Sequence, residues 1–232
     1  MRVLAISAHP DDLEFACGGV LLAEAARGAE ITLCVCSRGE SGTSGTPDER
    51  EAEARDAADL LGAEIHFLDF GGDARMERTT ANALELARQI RRTKPDVVLS
   101  SVTTDDQHPD HIVIGQLAQE AARLARYGGI AELRPLESHS VAHHFQYAVT
   151  PGAEPRNATR IRVDISAHYE KWIALMECHR TQLRTRRYID LQTARARLLG
   201  IEAGVEYAQA LFATDDLLVA SLEEIPRSVR LF

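Results

Sequence analysis

The sequence predicts an α/β protein with a Rossmann-like, mostly parallel sheet and helices on both faces of that sheet. Short apolar runs typical of buried strands alternate with segments of helical length over residues 1–125, and the connections between them are short. Strands and helices that alternate in this way form βαβ units, and the strands of such units pair in parallel. The first half of the chain is therefore expected to form the parallel part of the sheet.

Four strand–helix units account for this half. The apolar run over residues 3–7 is the first strand, and Gly28 ends the helix that follows it. A loop rich in glycine, serine and threonine, residues 37–47, separates the second strand from the second helix. The predicted strands cover residues 3–7, 31–36, 64–70 and 96–101, and the predicted helices cover residues 13–27, 48–61 (with Asp48 as N-cap), 80–93 and 112–126.

The second half is less regular and predicts a smaller, irregular α+β part. Its predicted strands are residues 140–149 and 160–165, and its predicted helices are residues 167–179, 190–199 and 201–211. Neither a repeat nor a linker divides the chain, so residues 1–232 are predicted to form one domain. In the segment 214–232, the apolar run Leu217 to Leu222 is expected to pack or to pair with a neighbour.

Composition excludes several classes of function. A net charge of −9 without a basic stripe argues against a nucleic-acid binder. The sequence has no run near the ~18 consecutive apolar residues of a membrane span, so a membrane protein is not expected. The N-terminus enters the first strand directly, which is unlike a signal peptide. Four cysteines without C-x-x-C spacing fit a reduced compartment, and we expect a cytoplasmic protein.

Two short clusters of histidine and aspartate follow two of the predicted strands, about a hundred residues apart. His9, Asp11 and Asp12 come after the first strand, and His108 and His111 come after the fourth. In open α/β sheets, ligands bind at the carboxyl ends of the strands. Imidazole and carboxylate groups that meet there predict a divalent metal site, with zinc favoured.

Helix capping is the simpler explanation of the first cluster. Asp12 would then be an N-cap, Asp11 would face solvent and His9 would merely be polar. That explanation accounts for one carboxylate but not for the second one beside an imidazole, nor for a second cluster in the matching place. Three protein ligands and an open position are typical of catalytic zinc, and one aspartate and one histidine remain for a base and a donor. The spacing does not tell which aspartate binds the metal.

These residues carry a family resemblance that spans most of the chain. Ala8-His9-Pro10-Asp11-Asp12, followed by Glu14 and Gly18-Gly19, resembles the signature of the PIG-L/LmbE-like N-acetylglucosaminyl deacetylases, and His108-Pro109-Asp110-His111 resembles their second motif. The subgroup that the chain resembles most is the bacillithiol-biosynthesis deacetylases. Four segments carry this narrower resemblance: residues 38–40, 49–54, 188–189 and 204–208. The implied fold is the LmbE-like one.

The resemblance assigns roles to the two clusters by position. It implies that His9, Asp12 and His111 are ligands of Zn²⁺ and that Asp11 is the general base for the attacking water. His108 corresponds to the imidazolium that stabilises the oxyanion and protonates the leaving amine.

Three further positions match residues of the family that handle the substrate. Arg50 would meet sugar hydroxyls or a carboxylate of the aglycone, Asp73 would bind sugar hydroxyls, and Tyr188 would reach the reacting carbonyl. Gly71-Gly72 stand where the family usually has a proline before the turn aspartate, which leaves the pose of that loop open.

Two positions have less support. Asp110 is expected to orient one of the histidines. His143 matches a position where the subgroup often has a histidine, and lining the pocket is the less favoured interpretation of it.

The leading hypothesis is therefore a zinc-dependent hydrolase that removes the acetyl group from a substrate containing N-acetylglucosamine, with N-acetylglucosaminyl-malate as the expected compound. An amidase acting on thiol conjugates of an amino sugar, or a deacetylase of another N-acetyl sugar, is the alternative. A nucleotide-binding module is disfavoured because paired aspartates would repel a pyrophosphate and no glycine-rich loop follows the first strand. The resemblance also implies a homo-oligomer, a trimer or a hexamer.

Overall fold

A seven-stranded sheet runs through the described part of the chain, residues 1–184 and 186–229, in this computed structural model. The strands are β1 (Arg2–Ser7), β2 (Glu30–Val35), β3 (Glu64–Phe67), β4 (Val97–Ser101), β5 (His143–Tyr147), β6 (Arg160–Asp164) and β7 (Ala208–Ala213). The helices are α1 (Asp12–Ala26), α2 (Pro47–Leu61), α3 (Thr80–Thr93), α4 (Pro109–Ala125), α5 (Tyr169–Glu177), α6 (Arg180–Leu183) and α7 (Tyr188–Ala203).

The order of the strands is β3-β2-β1-β4-β5-β7-β6. The first five of these are parallel, and β7 pairs antiparallel with both β5 and β6. The prediction of a mostly parallel sheet is therefore confirmed. The chain leaves β1 toward β2 on one side and reaches β4 on the other, so the order reverses between β1 and β4. A crevice opens at such a switch point, beyond the carboxyl ends of the strands.

Helices cover both faces of the sheet because its central strands are apolar on both sides. In β1, Val3 and Ala5 face a core formed with α1, α2, α5 and α7, while Leu4 and Ile6 face a core formed with α3 and α4. Successive side chains of a strand point to opposite faces, so a strand buried on both sides needs an unbroken apolar run.

Helices α2 and α4 begin earlier than the sequence predicted. The N-cap of α2 is Thr46 and not Asp48, because the Thr46 hydroxyl accepts the Glu49 N–H while the Glu49 carboxylate accepts the Thr46 N–H. Helix α4 begins at Pro109, with His108 as its N-cap, and not at residue 112. Proline suits a first helical position because its missing N–H is not needed there. The second histidine cluster therefore lies in the first turn of a helix.

The predicted helix over residues 201–211 is wrong. Helix α7 continues to Ala203 and ends at Gly204, whose φ of 71° is in the left-handed region that glycine adopts without strain. The chain then enters β7, which lies between β5 and β6, so the second half extends the same sheet.

The apolar run near the C-terminus does not pack within the described residues. The Leu218 side chain is 98% exposed, and Leu222 is exposed as well. Residues 214–229 contain no strand, and residues 230–232 lie outside the described residues. None of the helices described combines the length and the hydropathy needed to cross a bilayer.

Close packing of α4 on β4 depends on Gly115. A Cβ at this position would lie 2.4 Å from the carbonyl oxygen of Ser101 and 2.9 Å from Cγ2 of Thr103. We expect Gly115→Ala to lower the free energy of unfolding by about 1–3 kcal/mol, because the sheet backbone cannot yield as a side chain would. Urea unfolding measures this effect. Gly128→Ala is the control, since nothing lies within 4 Å of its added Cβ, and equal midpoints for the two variants would contradict the prediction.

Candidate active site

The loops after β1 and β4 bring three of the predicted residues together. The possible ligand atoms of His9, Asp12 and His111 all lie within 4.8 Å of one another. Nε2 of His111 is 3.0 Å from Oδ1 of Asp12, and Nδ1 of His9 is 3.5 Å from Oδ2 of Asp12. All three side chains are buried at the switch point of the sheet. Residues a hundred positions apart in the sequence thus share one small volume.

The donor set fits a divalent cation. Neither ring nitrogen of His111 has a hydrogen-bond partner among the described residues, although both are buried. The 3.0 Å contact with Asp12 is close enough for an ion pair but lacks the geometry of a hydrogen bond. A buried imidazole with both nitrogens unbonded is costly unless a ligand takes a lone pair. Two imidazoles and one carboxylate are the ligand types that zinc uses in catalytic sites.

Asp110 and Asp73 contact the other side of the His9 ring. Nε2 of His9 lies 3.1 Å from Oδ2 of Asp110 and 3.1 Å from Oδ1 of Asp73. The same Asp110 oxygen accepts the N–H of Ala74 at 2.6 Å. A proton on Nε2 leaves Nδ1, the nitrogen facing Asp12, free to act as a ligand. The structure therefore places Asp110 where it can orient His9.

Electrostatic coupling within this group shifts its pKa values in opposite directions. Burial disfavours charge on His9, but the carboxylates of Asp12, Asp110 and Asp73 outweigh it and hold the pKa of His9 well above its ordinary value. Burial likewise opposes charge on Asp12, but His111 and His9 hold its pKa well below the usual range. A cation that binds here replaces protons on the imidazoles, so its affinity should fall at acidic pH.

Asp11 is held in a strained backbone conformation. Its φ of 101° is in the left-handed region, which costs a residue other than glycine about 1–3 kcal/mol. Burial raises the pKa of Asp11 to about 6; the charge of Arg50 opposes this shift and that of Asp12 adds to it. Strain and a raised pKa in a carboxylate beside a possible metal site are typical of a functional group.

Arg50 donates hydrogen bonds to the loop after β1 and to the loop after β2, next to Asp11. Its Nη1 donates to the carbonyl oxygen of Gly39 at 3.0 Å, and its Nη2 donates to the carbonyl oxygen of Pro10 at 2.9 Å and to Oδ2 of Asp11 at 3.3 Å. The residue is only 4% exposed. A Cβ at Gly39 would lie 2.0 Å from Nη1, so only glycine allows this approach. Arg50 therefore positions Asp11; its contact with a substrate stays a prediction.

His108 is the most accessible of the clustered histidines, with a side chain 40% exposed. Its Nδ1 accepts the N–H of Asp110 at 3.3 Å, so a proton on the neutral ring resides on Nε2. Burial, together with the charges of His9 and His111, lowers the pKa of His108 below its ordinary value.

A cavity of about 490 Å³ opens above this cluster. Its lining includes eight of the residues for which the sequence predicted a site role: His9, Asp11, Asp12, Arg50, Asp73, His108, His111 and Tyr188. Asp73 is fixed through its backbone, because its N–H donates to Glu40 and its carbonyl oxygen accepts the hydroxyl of Ser41. The Tyr188 ring packs against Phe15, with 5.4 Å between ring centroids.

His143 does not line this cavity. It is exposed and pairs with Val97 at the amino end of parallel strands β4 and β5, whereas the cavity lies at the carboxyl end. Sequence reasoning also missed part of the lining, which includes residues 41–44, residues 149–151, and Gln182, Arg186, Leu191 and Gln192. Only the first had a sequence signal, its glycine- and serine-rich composition.

A second buried imidazole–carboxylate pair supports the wall of the cavity. Nε2 of His179 lies 3.3 Å from Oε2 of Glu14, and the carbonyl oxygen of Glu14 accepts the Nε1–H of Trp172. Burial opposes charge on His179, but Glu14 outweighs it and raises the pKa of His179. These contacts hold α5 and the start of α6 against α1.

The floor of this cavity lies within a segment that matches a known family. Residues 4–122 match the family model of PIG-L, the GlcNAc-PI de-N-acetylases. The chain belongs to the PIG-L family. Both histidine clusters, Arg50 and Asp73 lie inside the matched segment, whereas Tyr188 and residues 149–151 lie outside it.

The names of proteins similar to this chain state different activities. The chain is 29% identical to 4-oxalmesaconate hydratase of Pseudomonas putida over 75% of this chain and 71% of that protein. It is 28% identical to a 1D-myo-inositol 2-acetamido-2-deoxy-alpha-D-glucopyranoside deacetylase of Thermobifida fusca, over 78% and 83% of the two chains. The structure of the conserved protein TT1542 from Thermus thermophilus has a TM-score of 0.83 at 32% identity and covers 94% of this chain and 96% of that one. Membership of the PIG-L family thus leaves the reaction to be argued from the site.

Proposed function

We propose that this protein is a zinc-dependent hydrolase that removes the acetyl group from a substrate containing N-acetylglucosamine. The observation that carries the proposal is the buried group of His9, Asp12 and His111 at the floor of an open cavity, with Asp11 and His108 beside it. Three protein ligands that leave a position open are typical of hydrolytic metal sites. The deacetylases among the relatives support the same reaction.

The side chains divide the reaction between them. A divalent cation supplies Lewis-acid chemistry when bound, polarising the amide carbonyl and lowering the pKa of water. Asp11 takes the proton of the attacking water; with a pKa near 6, it is mostly anionic at neutral pH yet basic enough to accept that proton. Nε2–H of His108 donates a hydrogen bond to the oxyanion, and the proton that Asp11 took from the water passes to the amine nitrogen as the C–N bond breaks, which releases acetate and the free amine.

Within this class, the resemblance to bacillithiol-pathway deacetylases makes N-acetylglucosaminyl-malate the first substrate to assay. Asp73 and Arg50 would bind sugar hydroxyls, and Tyr188 would approach the carbonyl from the wall. We also retain a cytoplasmic homo-oligomer, a trimer or a hexamer, as part of the proposal. The exposed apolar side chains of Leu218 and Leu222 support an oligomer.

A hydratase is the second candidate, because the P. putida hydratase matches most of the chain. Adding water to a double bond would also use a base such as Asp11. Polycarboxylate substrates, however, need several cations. Arg50 and Arg186 are the only arginine or lysine residues in the described lining of the cavity, which also contains the carboxylates of Asp11, Asp12 and Asp73. Because Arg50 already donates to two carbonyl groups and to Asp11, the charge balance favours a neutral amide.

The test is release of free amine by purified protein of known metal content. We expect about one zinc ion per chain, amine release from N-acetylglucosamine and its malate glycoside, complete loss with a chelator, and recovery with zinc. Activity that survives full removal of metal would refute the metal mechanism. Loss of a conjugated double bond from a carboxymuconate, without amine release from any sugar, would establish the hydratase instead.

A further inference from the structure

We propose that the mouth of the cavity is a subsite for an apolar aglycone that carries at most one negative charge. An N-acetylglucosaminide of an alkyl or aryl group would then be a better substrate than one of a dicarboxylic acid. This inference rests on the proposed deacetylase function and adds the class of substrate. It concerns residues outside the segment that matches the PIG-L family.

Burial separates the floor of the cavity from its mouth. His9, Asp12 and His111 are buried at the floor, whereas Leu191 and Pro151 are exposed although they line the same cavity. With the acetamido group at the floor, the rest of the substrate reaches toward these exposed residues. A cavity of about 490 Å³ falls in the ~300–1,000 Å³ range of small-molecule sites. It therefore has room for the sugar and for part of an aglycone.

One wall of the mouth is apolar. Val149 and Pro151 after β5, and Tyr188 and Leu191 on α7, line it. The Leu191 side chain, 41% exposed, is an apolar surface that a ligand can cover. Covering such surface favours an apolar group over a hydrated carboxylate, since the gain follows the apolar area removed from water.

The described residues at the mouth offer a single cation. Arg186 is exposed there, and it forms no ion pair within the described chain. Arg50 lies at the floor and is held by Pro10, Gly39 and Asp11. A dicarboxylate would leave one anionic group unpaired beside an apolar wall, which weakens its binding. An aglycone with one carboxylate or none fits a mouth that offers one cation.

Hydrogen bonds preorganise the apolar wall. Nε2 of Gln192 and Nη1 of Arg195 both donate to the carbonyl oxygen of Val149, at 3.1 and 2.9 Å. Nη2 of Arg195 also bonds Glu154, at 2.6 Å. These bonds fix α7 to the segment after β5, so both halves of the wall are in place before a ligand arrives, which lowers the cost of binding.

The test compares matched N-acetylglucosaminides on the zinc-loaded enzyme. The series has methyl, butyl and phenyl aglycones and the malate glycoside, and amine release gives kcat/KM for each. We expect kcat/KM to rise about tenfold or more from methyl to butyl, mainly through KM, because each buried methylene contributes about fourfold. The malate glycoside should fall below the butyl glycoside.

Leu191→Asn should reduce the butyl-to-methyl ratio severalfold. Leu198→Asn is the matched control, because this residue lies on the same helix but does not line the cavity, and it should keep the wild-type ratio. A ratio near one in the wild type, a preference for malate, or a ratio unaffected by Leu191→Asn would each overturn the inference while leaving the deacetylase function intact. Failure of every glycoside to release amine would instead refute the proposed function.

Discussion

Replacing His111 with alanine should remove metal binding and turnover together. The loss of metal affinity should exceed the 10- to 100-fold that removal of a supporting outer partner costs, because His111 is itself a proposed ligand. The carbonyl oxygen of His111 accepts the Ser101 hydroxyl at 2.6 Å, and this backbone bond persists in the variant. The defect should therefore be confined to the site. Zinc content after dialysis against a weak chelator, together with amine release, measures both effects.

His143→Ala is the matched control for this experiment. It removes the same side chain from an exposed position at the amino end of β5, away from the cavity. It should keep one zinc ion per chain and wild-type kcat. If His111→Ala bound zinc as tightly as this control, the three-ligand site would be refuted.

The sequence was sufficient to predict that the two histidine clusters meet, because its signals are local. Each cluster directly follows an apolar run, and a parallel sheet brings the carboxyl ends of its strands to one edge. His9 and His111 could therefore be expected to meet before any coordinates were known. The sequence spacing could not divide the roles between Asp11 and Asp12, because two adjacent aspartates differ only in backbone conformation. The positive φ of Asp11 turns its carboxylate toward Arg50 and leaves Asp12 to face the histidines.

The walls of the site could not be predicted because they depend on pairings between distant segments. Strand β7 was expected to be helical, and it is a strand because it pairs with both β5 and β6. The position of β7 between β5 and β6 determines where the segment after β5 and helix α7 lie. These two parts of the chain supply Val149 and Leu191 to the cavity. Neither residue belongs to a chemical motif. Arg50 is a related case, since its buried bonds to two carbonyl oxygens have no signature in sequence.

Asp11→Asn should keep the metal and lose turnover by about 10²- to 10⁴-fold, the usual contribution of a general base. Asparagine has nearly the same shape and still offers an oxygen to Arg50, but it cannot take a proton from water. KM should change little, because the substituted group acts on the water and not on the sugar. Zinc content, kcat and KM measured beside His111→Ala separate the two roles.

The pH dependence makes this assignment sharper. Burial raises the pKa of Asp11 to about 6, so the carboxylate is lost as the pH falls through that value, and wild-type kcat/KM should decline below it. A bound cation favours the anion and moves this limb to lower pH, never to higher. Asp11→Asn should abolish the fall in kcat/KM that protonation of Asp11 causes. The fall that is caused by protons competing with the metal for its ligands should remain. Zinc loss equal to that of His111→Ala would instead make Asp11 a ligand and would require another base.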